Sequence, residues 1–206
     1  MKAREWQRYL DEQRRQYGKV LFTVTELANV AHTSRSALNV ELTRLRQQGV
    51  IVRYVHGQYG MPDAIAPETL LPAIDSQAYI TGYYALYLHN LITQVPARIT
   101  CFTSRRSPRA QERNTPVGRF VFVCVRSNVY APPAGTVVAT PAQALCDFVY
   151  MTRRQGVSPE GLVTFRHLAE RVTTELDSIL DRYPMAVQRH VRALVAGKQS
   201  RAAGAT

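Results

Sequence analysis

Along the first sixty positions apolar residues recur at helical spacing three times, and the pattern then changes to alternation. Residues 3 to 17 set Trp6, Tyr9 and Leu10 on one side of a polar segment that Gly18 closes, which predicts a first helix with Trp6 in the core. Lys19 to Phe22 reads as a short strand of the kind that pairs with a later hairpin. Thr25 then caps a short helix whose Leu27, Val30 and Ala31 face inward. The break at His32-Thr33 precedes a longer helix from Ser34 to Gln48, which Gly49 ends by adopting the left-handed conformation at little steric cost. Val50 to His56 alternates and is β-branched, Gly57-Gln58 can turn, and Tyr59 to Met61 returns as a second strand.

On the longer helix Leu38, Leu42 and Leu45 fall at i, i+4 and i+7 and form one apolar stripe. Arg35, Asn39, Thr43 and Arg46 make the polar side, with Ser36 near the amino end. These side chains suit base edges in the major groove: arginine pairs bidentately with guanine, asparagine with adenine, and serine or threonine is less selective. Thr33, Ser34 and Arg44, with Arg53, His56 and Gln58 of the hairpin, are candidates for backbone or minor-groove contact. A basic amphipathic helix alone is usually a solvated face. Short helix, tight turn, longer helix, glycine stop and hairpin within forty residues is the order of a winged helix-turn-helix, and that order predicts DNA binding by residues 1–61.

Beyond it, Pro62, Pro67 and Pro72 resist a long helix, and 62–77 reads as a linker. A second domain, 78–200, opens on Ala78 to Leu91, a strand-like lead followed by a largely buried helix from about Thr81 with Tyr84, Leu88 and Leu91 at helical spacing. His89 in it reads as a satisfied, half-buried side chain. Strands are expected over 97–103 and 118–125, separated by a loop in which Arg105, Arg106, Arg109 and Arg113 form a candidate second basic patch for phosphate or nucleic acid. Short strands near 128–130 and 136–140 lead to a helix capped by Thr140 with Pro141 in its first turn. There Ala144, Leu145, Phe148 and Val149 face inward and Asp147 is a salt-bridge partner or an exposed acid. Three helical patterns follow, about 163–172, 174–182 and 186–196, and 201–206 reads as an unstructured tail. The fold class is α+β: a winged helix-turn-helix, then a mixed α/β domain with a small sheet and a helical carboxy-terminal part.

Composition narrows the function. The 206 residues carry 26 Lys/Arg against 15 Asp/Glu, a net +11 that suits a polyanionic partner. Residues 1–61 hold ten basic against five acidic side chains and 98–127 seven against one, whereas 62–97 hold three acidic and no basic ones. Two basic zones flanking an acidic one suggest two modules. No long apolar run or signal core occurs, so a cytoplasmic protein with no membrane partner is expected. Cys101, Cys124 and Cys146 lack metal-ligand spacing and read as small buried apolar residues, so neither metal nor cofactor is expected. Nor does the chain hold a Walker loop, an HExxH motif, or a Gly-Ser with paired aspartates, and it is not read as an enzyme. The alternatives are an enzyme acting on nucleic acid or nucleotides, and a winged helix that docks a protein.

Tyr79-Ile-Thr-Gly-Tyr-Tyr-Ala-Leu-Tyr-Leu-His-Asn-Leu, the strand ending Phe102-Thr103, and Val138-Ala-Thr-Pro-Ala-Gln-Ala-Leu-Cys-Asp, together with the amino-terminal pattern, resemble the AbiEi family over roughly residues 3–183. The family pattern has a tyrosine ahead of Ala-Leu and then His-Gly-Leu; Tyr79, Ala85, Leu86, His89 and Leu91 match it, and Asn90 replaces the glycine. Its Thr-Pro-x-x-Ala-Leu-x-Asp segment is matched by Thr140, Pro141, Ala144, Leu145 and Asp147. The resemblance implies the antitoxin and transcriptional autorepressor of a bacterial type IV toxin-antitoxin pair. Its amino-terminal domain would bind repeats in its own promoter, its second domain would serve antitoxicity, and its counterpart would be a nucleotidyltransferase-like toxin.

Overall fold

Eight α-helices and two small sheets, of three and four strands, make the described part of the chain an α+β protein. The structure is a computed structural model that describes residues 1–105 and 111–203, the side chains as far as Gly197. The chain divides into two units: Met1–Ile74 with Asn114–Gly118, and Asp75–Arg113 with Arg119–Thr206. Among the described residues no helix is long and apolar enough to cross a membrane.

In the first unit α1 (Ala3–Tyr17) starts where the Glu5 carboxylate accepts the Lys2 backbone N–H at 2.7 Å, and it stops at Gly18, which takes φ +63°. Strand β1 (Phe22–Thr23) leads directly into α2 (Val24–Ala31). Thr23, and not the expected Thr25, caps α2: its hydroxyl accepts the Glu26 N–H, and the Glu26 carboxylate accepts the Thr23 N–H at 2.7 Å. The reason is local, because Thr23 has a glutamate three residues on and Thr25 does not. Burial works against ionisation of Glu26. The hydrogen bonds from Lys19 and Thr23 outweigh it and hold the carboxyl below its ordinary value, so the cap is charged.

Helix α3 (Arg35–Gln47) is capped by Ser34 and ends in a paired bond, Val50 N–H to the Leu45 carbonyl and Gly49 N–H to that of Arg46, closed by Gly49 at φ +70°. Strands β2 (Val52–Val55) and β3 (Gln58–Gly60) form a hairpin, and β3 lies between β2 and β1 with Phe22 opposite Tyr59. The two strands of the hairpin pair Arg53 with Tyr59 and then slip by a bulge before Val55. Trp6, Leu10, Phe22, Leu27, Leu38, Leu42, Leu45, Ile51 and Tyr59 fill the core beneath. The stretch 62–77, expected as a linker, contains α4 (Pro67–Ile74) with Leu70 and Leu71 fully buried; Pro67 fits its first position, and the burial of a Leu-Leu pair offsets the cost of Pro72 inside it.

The second unit carries β4 (Tyr79–Ile80), α5 (Gly82–Leu88), β5 (Ile99–Thr103) and all but the first residue of β7 (Gly118–Cys124); with β6 (Glu112–Thr115) these strands form a sheet of order β4-β5-β7-β6. Pairing is antiparallel between β4 and β5 and parallel between β5 and β7. The expected strand over 136–140 is reduced to a single bridge from Val138 to Ile80, and 128–130 is a turn. Helices α6 (Pro141–Arg154), α7 (Leu168–Leu180) and α8 (Met185–Ala203) pack together on this side of the chain. The two helices expected over 163–182 are one: Leu168, Val172, Leu176, Ile179 and Leu180 form a continuous buried stripe across the Thr173-Thr174 pair. Helix α8 runs on through 201–203, residues expected in the tail, while 204–206 lie outside the described residues.

In α5 the buried positions are Gly82, Ala85 and Leu86, and Leu88 is exposed against expectation, because the helix stops after seven residues. Asn90 sits at φ +58°, the left-handed conformation a glycine would take there, and asparagine tolerates it better than most residues. His89 Nε2 donates to the Ala139 carbonyl at 2.7 Å, a half-buried and satisfied histidine.

Candidate nucleic-acid interface

The face of α3 turned away from the core is built by its leucines. With Leu38, Leu42 and Leu45 buried, Arg35, Ser36, Asn39, Thr43, Arg44 and Arg46 are all exposed. The only acidic residue of the helix, Glu41, is drawn elsewhere: its carboxylate accepts the Trp6 indole N–H at 2.6 Å and lies 3.2 Å from the amino-terminal ammonium. Trp6 is thus both core and, through Glu41, the device that leaves the exposed cations of α3 without an acid beside them.

Arg35 and Asn39 reach the side of α3 that meets the β2–β3 hairpin. There they line a hollow of about 450 Å³ with Thr23, Val24 and Thr25 at the start of α2 and Arg53, His56, Gly57 and Tyr59 of the hairpin. None of these residues is acidic. Two guanidinium groups and an imidazole around one hollow form a surface that favours an anion. In the hairpin an Arg53 guanidinium nitrogen lies 2.6 Å from His56 Nδ1, so the ring presents its lone pair there and the arginine is held in place. Thr43, Arg46 and Arg53 line a second hollow further along the helix, with Gln47 and Val52.

Other expected contacts are partly committed within the chain. Ser34 caps α3, accepting the Ala37 N–H at 3.3 Å, and lies 3.0 Å from the Ser36 hydroxyl. The Thr43 hydroxyl donates to the Asn39 carbonyl at 2.9 Å. Thr33 and Gln58 are half-buried, whereas Arg53 and His56 are exposed. Of the second basic patch, Arg105 pairs with Asp75 at 3.4 Å and Arg113 is exposed; Arg106 and Arg109 lie outside the described residues.

Two exposed side chains on α3 are not among the residues expected to make contacts, and one of them, Val40, has neither donor nor acceptor. Val40, 55% exposed, and Gln47, also exposed, lie almost opposite the leucine stripe, where a helical wheel drawn from the sequence would have placed them.

Asp147, expected at the surface, has no exposure at all. Tyr183 and Thr81 donate to it at 2.7 Å each and Tyr79 at 3.2 Å. Burial raises its carboxyl to about 7 against those three bonds, which favour the ionised form. Cut off from solvent, the cluster ties β4, the start of α5, α6 and the turn before α8 together; in this conformation it cannot meet a substrate. Cys101 and Cys146 are buried with thiols pushed up by desolvation, as expected of small core residues, but Cys124 at the end of β7 is exposed. Among the described residues no three His, Cys, Asp or Glu side chains gather to hold a metal ion.

No family model and no curated protein matches the chain. Among solved structures it is similar to the crystal structure of the RV2827C protein from Mycobacterium tuberculosis, with a TM-score of 0.60 and 18% identity over 93% of this chain and 76% of that one. At that identity the likeness is one of fold.

Proposed function

We propose that the first unit is a winged helix-turn-helix that binds double-stranded DNA, and that the protein is a sequence-specific transcriptional repressor. In this reading α2 and α3 are the helix-turn-helix, α3 enters the major groove, and β2–β3 is the wing. The observation that supports it best is the hollow in which Arg35 and Asn39 of α3 meet Arg53 and His56 of the hairpin without an acid among its lining residues. A phosphate held there by Arg53 and His56 would fix α3 against the duplex, leaving Arg35, Asn39 and the outward face of the helix for the bases. The net charge of +11 adds attraction that does not depend on sequence.

The role of antitoxin to a nucleotidyltransferase-like toxin is proposed on the AbiEi resemblance of residues 79–91 and 138–147. Tyr79 and Asp147, which carry that resemblance, are buried partners in the second unit, so they support a shared fold and leave the toxin contact to other residues. DNase footprinting on the segment upstream of the protein's own coding sequence, at low ionic strength, tests the repressor reading: a protected site is expected, and a bare ladder overturns it.

A further inference from the structure

An apolar residue, Val40, stands near the centre of the exposed face of α3. At about 100° per residue, the direction opposite the mean of Leu38, Leu42 and Leu45 falls between Gln47 and Val40. Ser36 and Thr43 stand next on one side of it and Arg44 on the other, within about 50° by the same geometry. Arg35, Asn39 and Arg46 lie about 90° or more away, and the place of Arg35 and Asn39 in the hollow beside the hairpin agrees with that. The outward stripe is therefore Ser36, Val40, Thr43, Arg44 and Gln47, all of them exposed.

Val40 is 55% exposed. A lone exposed valine is ordinary on a protein surface, but this one has the middle of a polar face, where a β-branched residue brings no helix propensity. Thr43, three residues on and on the same side, has its hydroxyl engaged by the Asn39 carbonyl, so its methyl is the group left to face outward. Two apolar groups about one helical turn apart, flanked by the serine hydroxyl, the glutamine amide and the Arg44 guanidinium, form a small patch with no hydrogen-bond donor of its own. The one apolar group on a base edge in the major groove is the C5 methyl of thymine.

We infer that Val40, with the Thr43 methyl beside it, reads thymine methyl groups at the centre of the binding site, and that Arg35, Asn39 and Arg46 serve as its flank toward the hairpin. This rests on the DNA reading and specifies the base it recognises.

The test uses the full-length protein and the upstream duplex located by footprinting. Each thymine of the protected site is replaced in turn by deoxyuridine, which removes the methyl and keeps the pairing. At one or two adjacent positions the wild type is expected to lose about three- to five-fold in affinity, the worth of one buried methyl. Val40→Ser, on an exposed helix position and checked for unchanged helical signal, is expected to bind the thymine and deoxyuridine duplexes equally at the Val40 position. Thr43→Ser, which keeps the hydroxyl bond and loses only the methyl, is expected to do the same at the neighbouring one. If a site is protected but no position shows a Val40-dependent loss, the thymine assignment is overturned and the DNA reading stands. If no site is protected, both fail.

Discussion

Tyr79 and Asp147, on β4 and α6, share a hydrogen bond of 3.2 Å in the fully buried interior of the second unit. Thr81, two residues on from Tyr79, and Tyr183 complete the carboxyl's shell. One acid thus gathers three pieces of chain that are far apart in sequence.

Stability should therefore depend on pH through Asp147. Burial lifts the folded-state value from 3.8 to about 7. Below about pH 4 the carboxyl is protonated in folded and unfolded chains alike, and its contribution is fully present. Between about pH 4 and 7 the unfolded chain releases a proton that the folded one keeps, so stability falls by up to about 1.4 kcal/mol per pH unit. Asp147→Asn, which cannot ionise, should lack this slope. Urea denaturation of both proteins at pH 4.5 and 7.5 checks it: a wild-type advantage that shrinks as pH rises is expected, and a constant difference refutes it.

Arg53→Ala and Asn39→Ala should separate two kinds of contact. Losing the hairpin arginine is expected to weaken binding on every sequence and to flatten the salt dependence by about one unit of slope. Losing Asn39 is expected to cost about 1–3 kcal/mol on the preferred site and little elsewhere. Titrations of specific and scrambled duplexes at several salt concentrations distinguish them.

Gly60→Ala should destabilise the first unit. A Cβ at this position would run into the Val20 backbone carbonyl and lie 3.0 Å from Ile65 Cδ1 and 3.2 Å from a Tyr54 ring carbon. A backbone oxygen just ahead of β1 cannot swing aside as a side-chain end can, so a cost of about 1–3 kcal/mol is expected. Denaturant midpoints measure it, and an unchanged midpoint counts against the packing described.

Thr23→Ala should cost about 1 kcal/mol, the worth of a helix cap. Thr25→Ala should be nearly neutral, since Thr25 is exposed and outside the cap. The two substitutions, compared by thermal melting, test which threonine starts α2.

Much of the first unit was legible in the residues because its signals are local. Gly18 and Gly49 end helices by conformational freedom that few residues share, and the leucines of α3 mark its inner side by spacing alone. Even the Thr23 cap was written in the sequence as Thr-x-x-Glu. The tertiary structure decided what depends on residues distant along the chain. Whether Asp147 is a surface acid or a buried one turns on hydroxyls 36, 66 and 68 positions away, which no periodicity within α6 can register. The single span of α7 and the ordering of α4 depend in the same way on surfaces that bury their leucines. The hollow beside α3 exists only because β1 and β2 both pair with β3 and bring Arg53 and His56 to the helix. Spacing along one element fixes which side faces inward; the groups waiting on that side come from other parts of the chain, and their charge and hydrogen bonding determine what the buried residue does.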